Sequence, residues 1–295
     1  MGIVIKNASL SLLNDDDSMS SLRNAASAIK RCLEESNTKS EDISLLVNIG
    51  LYNDKNLYEP SYASLIQMKS GINLNPDLND TGSKMTFSFD LTNGSCGFLN
   101  AVNVIDSMLH ENEQAIIISS NNHPSENQNE SFPFSRLGSA VLLEKKNTRK
   151  GFKDFFYDSK NKSNGIKSYL DIYNSGTEGR NSVTFKIPKK YNNKLSEFTI
   201  QKIKEYIAMH DLDVSKTKLF ISQPSEDFVK TVIEEIGFNE YSVLNIYKEY
   251  GDAHSSIVGL LFSKSKSSGF LKPGDTVLIV TAGSGLTVSI STYEV

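Results

Sequence analysis

The sequence predicts an α/β protein with a mainly buried sheet. Short apolar runs alternate with amphipathic stretches along the chain, the pattern of strands covered by helices. At 295 residues and 38% hydrophobic content, the chain can bury a large core, as one broad domain or as two fused halves. No short repeat is visible.

The first helix is expected after Ser20 or Ser21, either of which can cap it, with Leu22, Ala25, Ala26, Ile29 and Leu33 at helical spacing. Residues 43–49 then read as a strand. Cys32 sits beside the apolar stripe of that helix and reads as a small core residue, because unpaired cysteine is among the most buried residue types. A second helix is expected over residues 62–70, followed by a loop over 71–82 rich in Gly, Asn, Pro and Asp. Residues 115–118 and 218–221 read as strands, and residues 256–263 as a helix entered from a loop.

Composition excludes several classes. With 31 basic and 35 acidic residues spread along the chain and a net charge of −4, nothing global favours nucleic acid or a membrane surface. Two cysteines, Cys32 and Cys96, make neither a disulfide framework nor a structural zinc site and fit a reducing compartment, most simply the cytoplasm. The first residues lack a signal-peptide pattern, no stretch is long and apolar enough to span a bilayer, and Lys6 stands where myristoylation needs Ser or Thr. No His or Cys spacing implies a metal.

The segment around Cys96 carries the most chemistry. Residues 87–91 suit a strand, Asn93-Gly94-Ser95 is turn chemistry, and Phe98, Ala101, Val102, Ile105, Met108 and Leu109 follow at helical spacing. Cys96 therefore opens a helix. Unpaired backbone N–H groups and the helix dipole there favour a thiolate and suit an oxyanion. The plainer reading is a small buried residue in a tight turn, a place that glycine or alanine would fill equally well.

These residues carry a resemblance. FDLTNGSCGFLNAVNVIDSM resembles the nucleophile segment of the β-ketoacyl-acyl-carrier-protein synthase III family, within the thiolase-like superfamily. SEDISLLVNIG, FSRLGSAVLLEK and LKPGDTVLIVTAGSGLTVSI resemble, in order, further segments of that family. The resemblance implies a five-layered αβαβα fold of two similar halves, residues 1–150 and 151–295, meeting near residues 150–168. It places Cys96 on the acylated cysteine. It also puts the oxyanion hole on the backbone of Cys96 and Ser284. By itself the GSGL turn is a weak signal.

Two positions depart from the family. Its histidine falls on Ser222, whose hydroxyl cannot titrate near neutral pH as an imidazole does. Its asparagine falls on Asp252, an acceptor in place of an amide donor, with His254 two residues later. A set of Cys96, His254 and Asp252 would form an acyl-transfer triad, with Asp252 orienting the ring; His254 as a hydrogen-bonded turn residue is the plainer alternative. His110, His123 and His210 read as helix-end or polar-loop residues. Residues 121–130 read as an exposed loop, either a lid anchored by Phe132 and Phe134 or a polar connection. Residues 145–167 are locally basic and read as a solvated loop or a docking surface for an acidic carrier protein.

The resemblance implies no bound cofactor, an acyl-CoA or acyl-carrier-protein thioester as substrate, and a homodimer or a heterodimer with a related chain. Lacking tryptophan, and with a short route from Leu13 to Ser21, the chain departs from the usual coenzyme A mode, which favours a carrier-bound donor. Three functional readings follow: an acyltransferase loading Cys96; a non-condensing partner subunit of a related synthase; and an acyl-binding module without covalent chemistry.

Overall fold

The computed structural model describes residues 1–11, 20–57, 59–74, 85–124, 132–160, 167–169, 184–283 and 285–295. In order these form β1 (Gly2–Leu10), α1 (Ser21–Ser36), β2 (Ile43–Asn48), α2 (Tyr62–Ser70), β3 (Phe87–Asp90), α3 (Gly97–Met108), β4 (Gln114–Ser120) and β5 (Gly138–Lys146). There follow β6 (Gly151–Ser159), β7 (Lys167–Tyr169), β8 (Thr184–Lys186), α4 (Tyr191–His210), β9 (Thr217–Ile221), α5 (Glu226–Ile236), α6 (Tyr247–Tyr250), α7 (Ile257–Ser268), β10 (Thr276–Gly283) and β11 (Thr287–Glu294).

One sheet has the order β1-β5-β4-β2-β3 and the other β6-β11-β10-β9, with β7 and β8 as a separate pair. The second sheet repeats the first four positions of the first sheet, including their senses. The pairs β1/β5 and β6/β11 are antiparallel, as are β4/β5 and β10/β11, whereas β2/β4 and β9/β10 are parallel. The parallel pairs need helical crossovers, and α3 and α7 supply the ones packed between the sheets. Three apolar clusters then define five layers. One lies under α1 and α2, one around α3 and α7 between the sheets, and one under α4 and α5. Cys32 belongs to the first of these.

Local chemistry starts these helices where the sequence places them. Ser20 caps α1, its hydroxyl accepting from the Arg23 N–H at 3.2 Å. The Asp54 carboxylate takes the Ser21 and Leu22 N–H groups at 2.8 and 3.2 Å and the Ser20 hydroxyl at 2.7 Å. Burial works against that charge, but these donors outweigh it and hold the carboxyl below the usual range. Asp54 is thereby an anion at a helix N-terminus, where the dipole favours it.

Two loop readings are corrected. Residues 145 and 146 end β5, and the middle of the stretch read as a solvated basic loop, residues 151–159, is β6; residues 161–166 lie outside the described residues. The aromatic residues of β6 explain this: Phe152 is buried against Phe98 and Tyr293, so the charges lie on a strand that also serves the core. Asn121, Asn122 and His123, read as the start of an exposed loop, are buried. Asn122 donates to Asp54 at 3.3 Å and His123 packs on Phe132. Residues 125–130, 12–19 and 75–84 lie outside the described residues.

The passage from β5 to β6 turns at Gly151, whose φ is +97° and where a Cβ would collide with the Ile3 carbonyl of β1. Gly237 has a comparable φ of +84° with open space around it. Left-handed strain for a non-glycine residue is about 1 kcal/mol, so Gly237→Ala is expected to show that alone in chemical denaturation. Gly151→Ala should lose more than ~2 kcal/mol because backbone must also move. Equal losses would show that the contact with β1 yields freely.

Candidate functional site

The nucleophile turn is built from the end of β3. The Asp90 carboxylate accepts from the Tyr62 and Ala63 N–H groups at 2.7 and 2.9 Å and from Asn48 at 2.8 Å, clamping the strand to the start of α2 and the end of β2. The chain then makes a 3-10 turn, Gly94–Cys96, which opens α3. Gly94 holds φ +49°, and a Cβ at Gly97 would stand 3.3 Å from the Ile49 Cβ. Glycine at both places lets the turn be tight and the helix start close to the sheet.

Cys96 is fully buried, and its thiol points into the other half. Its Sγ donates to the Thr281 carbonyl at 3.5 Å and the Thr287 carbonyl at 3.6 Å, the two flanks of the β10–β11 turn. Burial pushes the thiol up to about 11, against the hydrogen bonds from Ser289 and Thr281 that favour the thiolate. The helix start therefore does not set a thiolate at neutral pH, as the sequence led us to expect; desolvation prevails. The Cys96 N–H, the other expected contribution, donates to the Asn93 carbonyl at 3.0 Å.

A matching turn faces it. The 3-10 turn His254–Ser256 opens α7, and its first residue has φ +49°, the value found at Gly94. His254 thus adopts, as a non-glycine residue, a conformation its counterpart reserves for glycine. Ser256 is the counterpart of Cys96. As Cys96 reaches the second sheet, Ser256 reaches the first, donating to Ser119 at 3.0 Å, while Ser255 meets Ser119 at 2.7 Å and Asn121 at 3.3 Å. The two turns pack directly on each other.

The structure thus brings Cys96 and the Asp252–His254 segment together but does not join the three side chains as a triad. Asp252 Oδ1 accepts from the His254 backbone N–H at 2.8 Å, not from its ring. The imidazole lies on Phe134, with ring centroids 4.2 Å apart, and beside Tyr52 at 5.5 Å, and its buried Nδ1 has no hydrogen-bond partner. Burial lowers His254 to about 4 and raises Asp252 to about 7, the latter opposed by the His254 N–H. At neutral pH the ring is uncharged and offers an acceptor nitrogen.

Ser222 is engaged elsewhere. Its hydroxyl accepts from the Ala282 N–H at 2.9 Å while its own N–H donates to the Val280 carbonyl at 2.9 Å, so it fastens the end of β9 to β10. Gln223 beside it bridges to the Leu244 carbonyl and the Ile246 N–H at 2.8 and 3.0 Å. Ser284 lies outside the described residues; its neighbour Gly283 rests against Ser95, where a Cβ would stand 3.1 Å from the Ser95 hydroxyl. Among the described residues no group of three His, Cys, Asp or Glu side chains could hold a metal ion. Nor is any helix among them long and apolar enough to cross a membrane.

Sequence reasoning missed Tyr52 and Tyr191. Tyr52 packs on Phe132, Phe134 and His254. Tyr191, buried at the start of α4, donates from Oη to the Gly285 carbonyl at 2.9 Å. Burial raises its phenol, with Asp252, Cys96 and Tyr52 adding to the effect, and its bond to Gly285 puts it on the β10–β11 turn whose flanks receive the Cys96 thiol. Neither sits in a motif: Tyr191 stands in a run of Lys and Asn that reads only as a polar helix start.

Known proteins share this fold. A family model described as 3-oxoacyl-[acyl-carrier-protein (ACP)] synthase III C terminal matches residues 207–295. The β-ketoacyl-[acyl-carrier-protein] synthase III of Clostridium perfringens is 23% identical over 290 residues, covering 89% of this chain and 81% of its own. The acyl-CoA:acyl-CoA alkyltransferase of Xanthomonas campestris is 23% identical over 292 residues, covering 90% and 80%. The crystal structure of 3-oxoacyl-[acyl-carrier-protein] synthase III from Aquifex aeolicus superposes with a TM-score of 0.78 at 15% identity, with all of both chains covered. With its two repeated sheets, buried helix starts and these likenesses, the chain is a β-ketoacyl synthase III-like protein with the thiolase-like fold.

Proposed function

We propose that this protein is a thioester-dependent acyltransferase in which Cys96 accepts an acyl group from an acyl-carrier-protein or coenzyme A donor and passes it to an acceptor, in fatty-acid-derived or polyketide metabolism in the cytoplasm. The observation that carries this reading is the packing of the two 3-10 turns on each other, one ending at the buried Cys96 and the other opening at His254, whose buried Nδ1 has no hydrogen-bond partner. In the proposed step His254 takes the thiol proton and sulfur attacks the thioester carbonyl. The new C–S bond forms as the donor's thiolate leaves with that proton. The Ser284 backbone N–H is the proposed oxyanion donor, and the halves 1–150 and 151–295 pair with a second copy or a related chain.

A second reading, a non-condensing partner subunit, rests on the resting proton positions. With the thiol near 11 and the imidazole near 4, transfer between them is uphill by roughly 10 kcal/mol at about 1.4 kcal/mol per pH unit. Acylation therefore requires donor binding to change the site's solvation.

Intact-protein mass spectrometry after incubation with acyl-CoA and acyl-carrier donors of several chain lengths separates the two readings. The acyltransferase reading expects one acyl mass on Cys96, absent in Cys96→Ala and discharged by an added nucleophile, with loading slowed about a hundredfold in His254→Ala. No adduct with any donor on the folded protein would favour the subunit reading.

The buried pair also makes a stability prediction. His254 is held neutral, so its contribution is present above its ordinary pKa of 6.5 and is lost as pH falls towards 4. Asp252 is raised from 3.8 to about 7, so its contribution is present at low pH and is lost as pH rises through 7. Between about pH 4.5 and 6.5 the two oppose. Relative to the parent, His254→Asn should lose stability with rising pH in that window and Asp252→Asn should gain it, measured by chemical denaturation. Parallel profiles would show that neither group is desolvated in solution.

A further inference from the structure

The β10–β11 turn makes the immediate surroundings of Cys96. Both carbonyls that receive the thiol, Thr281 and Thr287, flank this turn, and Gly283 within it rests on Ser95, the residue before the nucleophile. At its tip Leu286 is buried, while Gly285 has φ +84° and open space where a Cβ would be. Among the described residues, two hydrogen bonds reach the tip from other elements. The Lys160 N–H donates to the Leu286 carbonyl at 2.9 Å, and the Tyr191 hydroxyl donates to the Gly285 carbonyl at 2.9 Å.

Tyr191 is well placed to act as a fixed post. It is the first residue of α4, its N–H donates to the Pro188 carbonyl at 2.9 Å, and its ring belongs to the same apolar cluster as Leu195, Phe198 and Leu286. The hydroxyl is therefore aimed by a buried layer of the core at the Gly285 carbonyl, at a position where a Cβ would meet no neighbouring atom. Such support is what keeps reacting groups in register, since a misplacement of about 1 Å reduces rates by about a hundredfold.

We propose that Tyr191 is a positioning residue, whose hydroxyl fixes the β10–β11 turn over Cys96 and so sets the access and reactivity of the thiol. This rests on the reading of Cys96 as the acyl acceptor, and it adds a third element, the start of α4, to the two turns already described. Burial and the neighbouring acidic groups keep the phenol protonated, so the donor persists throughout the working pH range.

The test uses Tyr191→Phe, which keeps the ring in the core and removes only the hydroxyl. Three quantities are compared with the parent: hydrogen exchange of the peptide spanning residues 282–287, the rate of Cys96 alkylation by iodoacetamide, and the acylation rate at saturating donor. Loss of one neutral hydrogen bond should raise exchange in that peptide about fivefold, with the α3 peptide unchanged. Alkylation should rise by a similar factor, and saturating acylation should fall tenfold or more at an unchanged half-saturating donor concentration. If exchange and alkylation match the parent, or if every peptide shifts together as in a uniform loss of stability, Tyr191 is merely a core residue. A parent that takes no acyl group contradicts the reading of Cys96 instead, and the exchange and alkylation results still decide the role of Tyr191.

Discussion

Two helix starts buried at the interface of the halves govern this structure. Helix α3 begins at Cys96 and α7 at Ser256, each in a 3-10 turn, and each sends its side chain into the sheet of the opposite half. Buried helix N-termini need partners for their polar groups, and here the turns, the carbonyls of β10 and β11 and the serines of β4 provide them. The crossovers from β2 to β4 and from β9 to β10 each bring their last helix, α3 and α7, into the layer between the sheets.

Burial also sets the resting chemistry. The same desolvation that suppresses charge on His254 keeps the Cys96 proton in place and raises Asp252. Three titratable groups lie near one another with their neutral forms favoured, so little net charge is held at the interface. A synthase III-like chain with Ser222 fastened to the backbone of Ala282 has no titratable side chain at that place. His254 lies in the opposite turn, in a left-handed conformation and with its ring packed on Phe134.

Much of this was legible in the sequence because it rests on local rules. The cap at Ser20, the strand and helix flanking Cys96, and the placing of Cys96 at the start of α3 all follow from spacing and turn chemistry. Charge state was not legible. The helix dipole argues for a thiolate, but the burial that outweighs it comes from β10 and β11, some 185 residues away in sequence. The contact of Asp252 with a backbone N–H, the burial of residues 121–123 behind Asp54, and the reach of Tyr191 to Gly285 are likewise tertiary. The stretch that became β6 misled for a related reason, because the lysines flanking it drew attention from the aromatic residues within it, Phe152, Phe155, Phe156 and Tyr157.

The central claim is that Cys96 rests as a protonated thiol, buried by the opposite half of its own chain. The pH dependence of its alkylation by iodoacetamide, followed by peptide mapping to separate it from Cys32, tests this directly. Below a pKa of about 11, the rate should rise about tenfold per pH unit from 7 to 10 without levelling. A plateau reached at or below pH 8 would show a thiolate already formed, and would contradict the account.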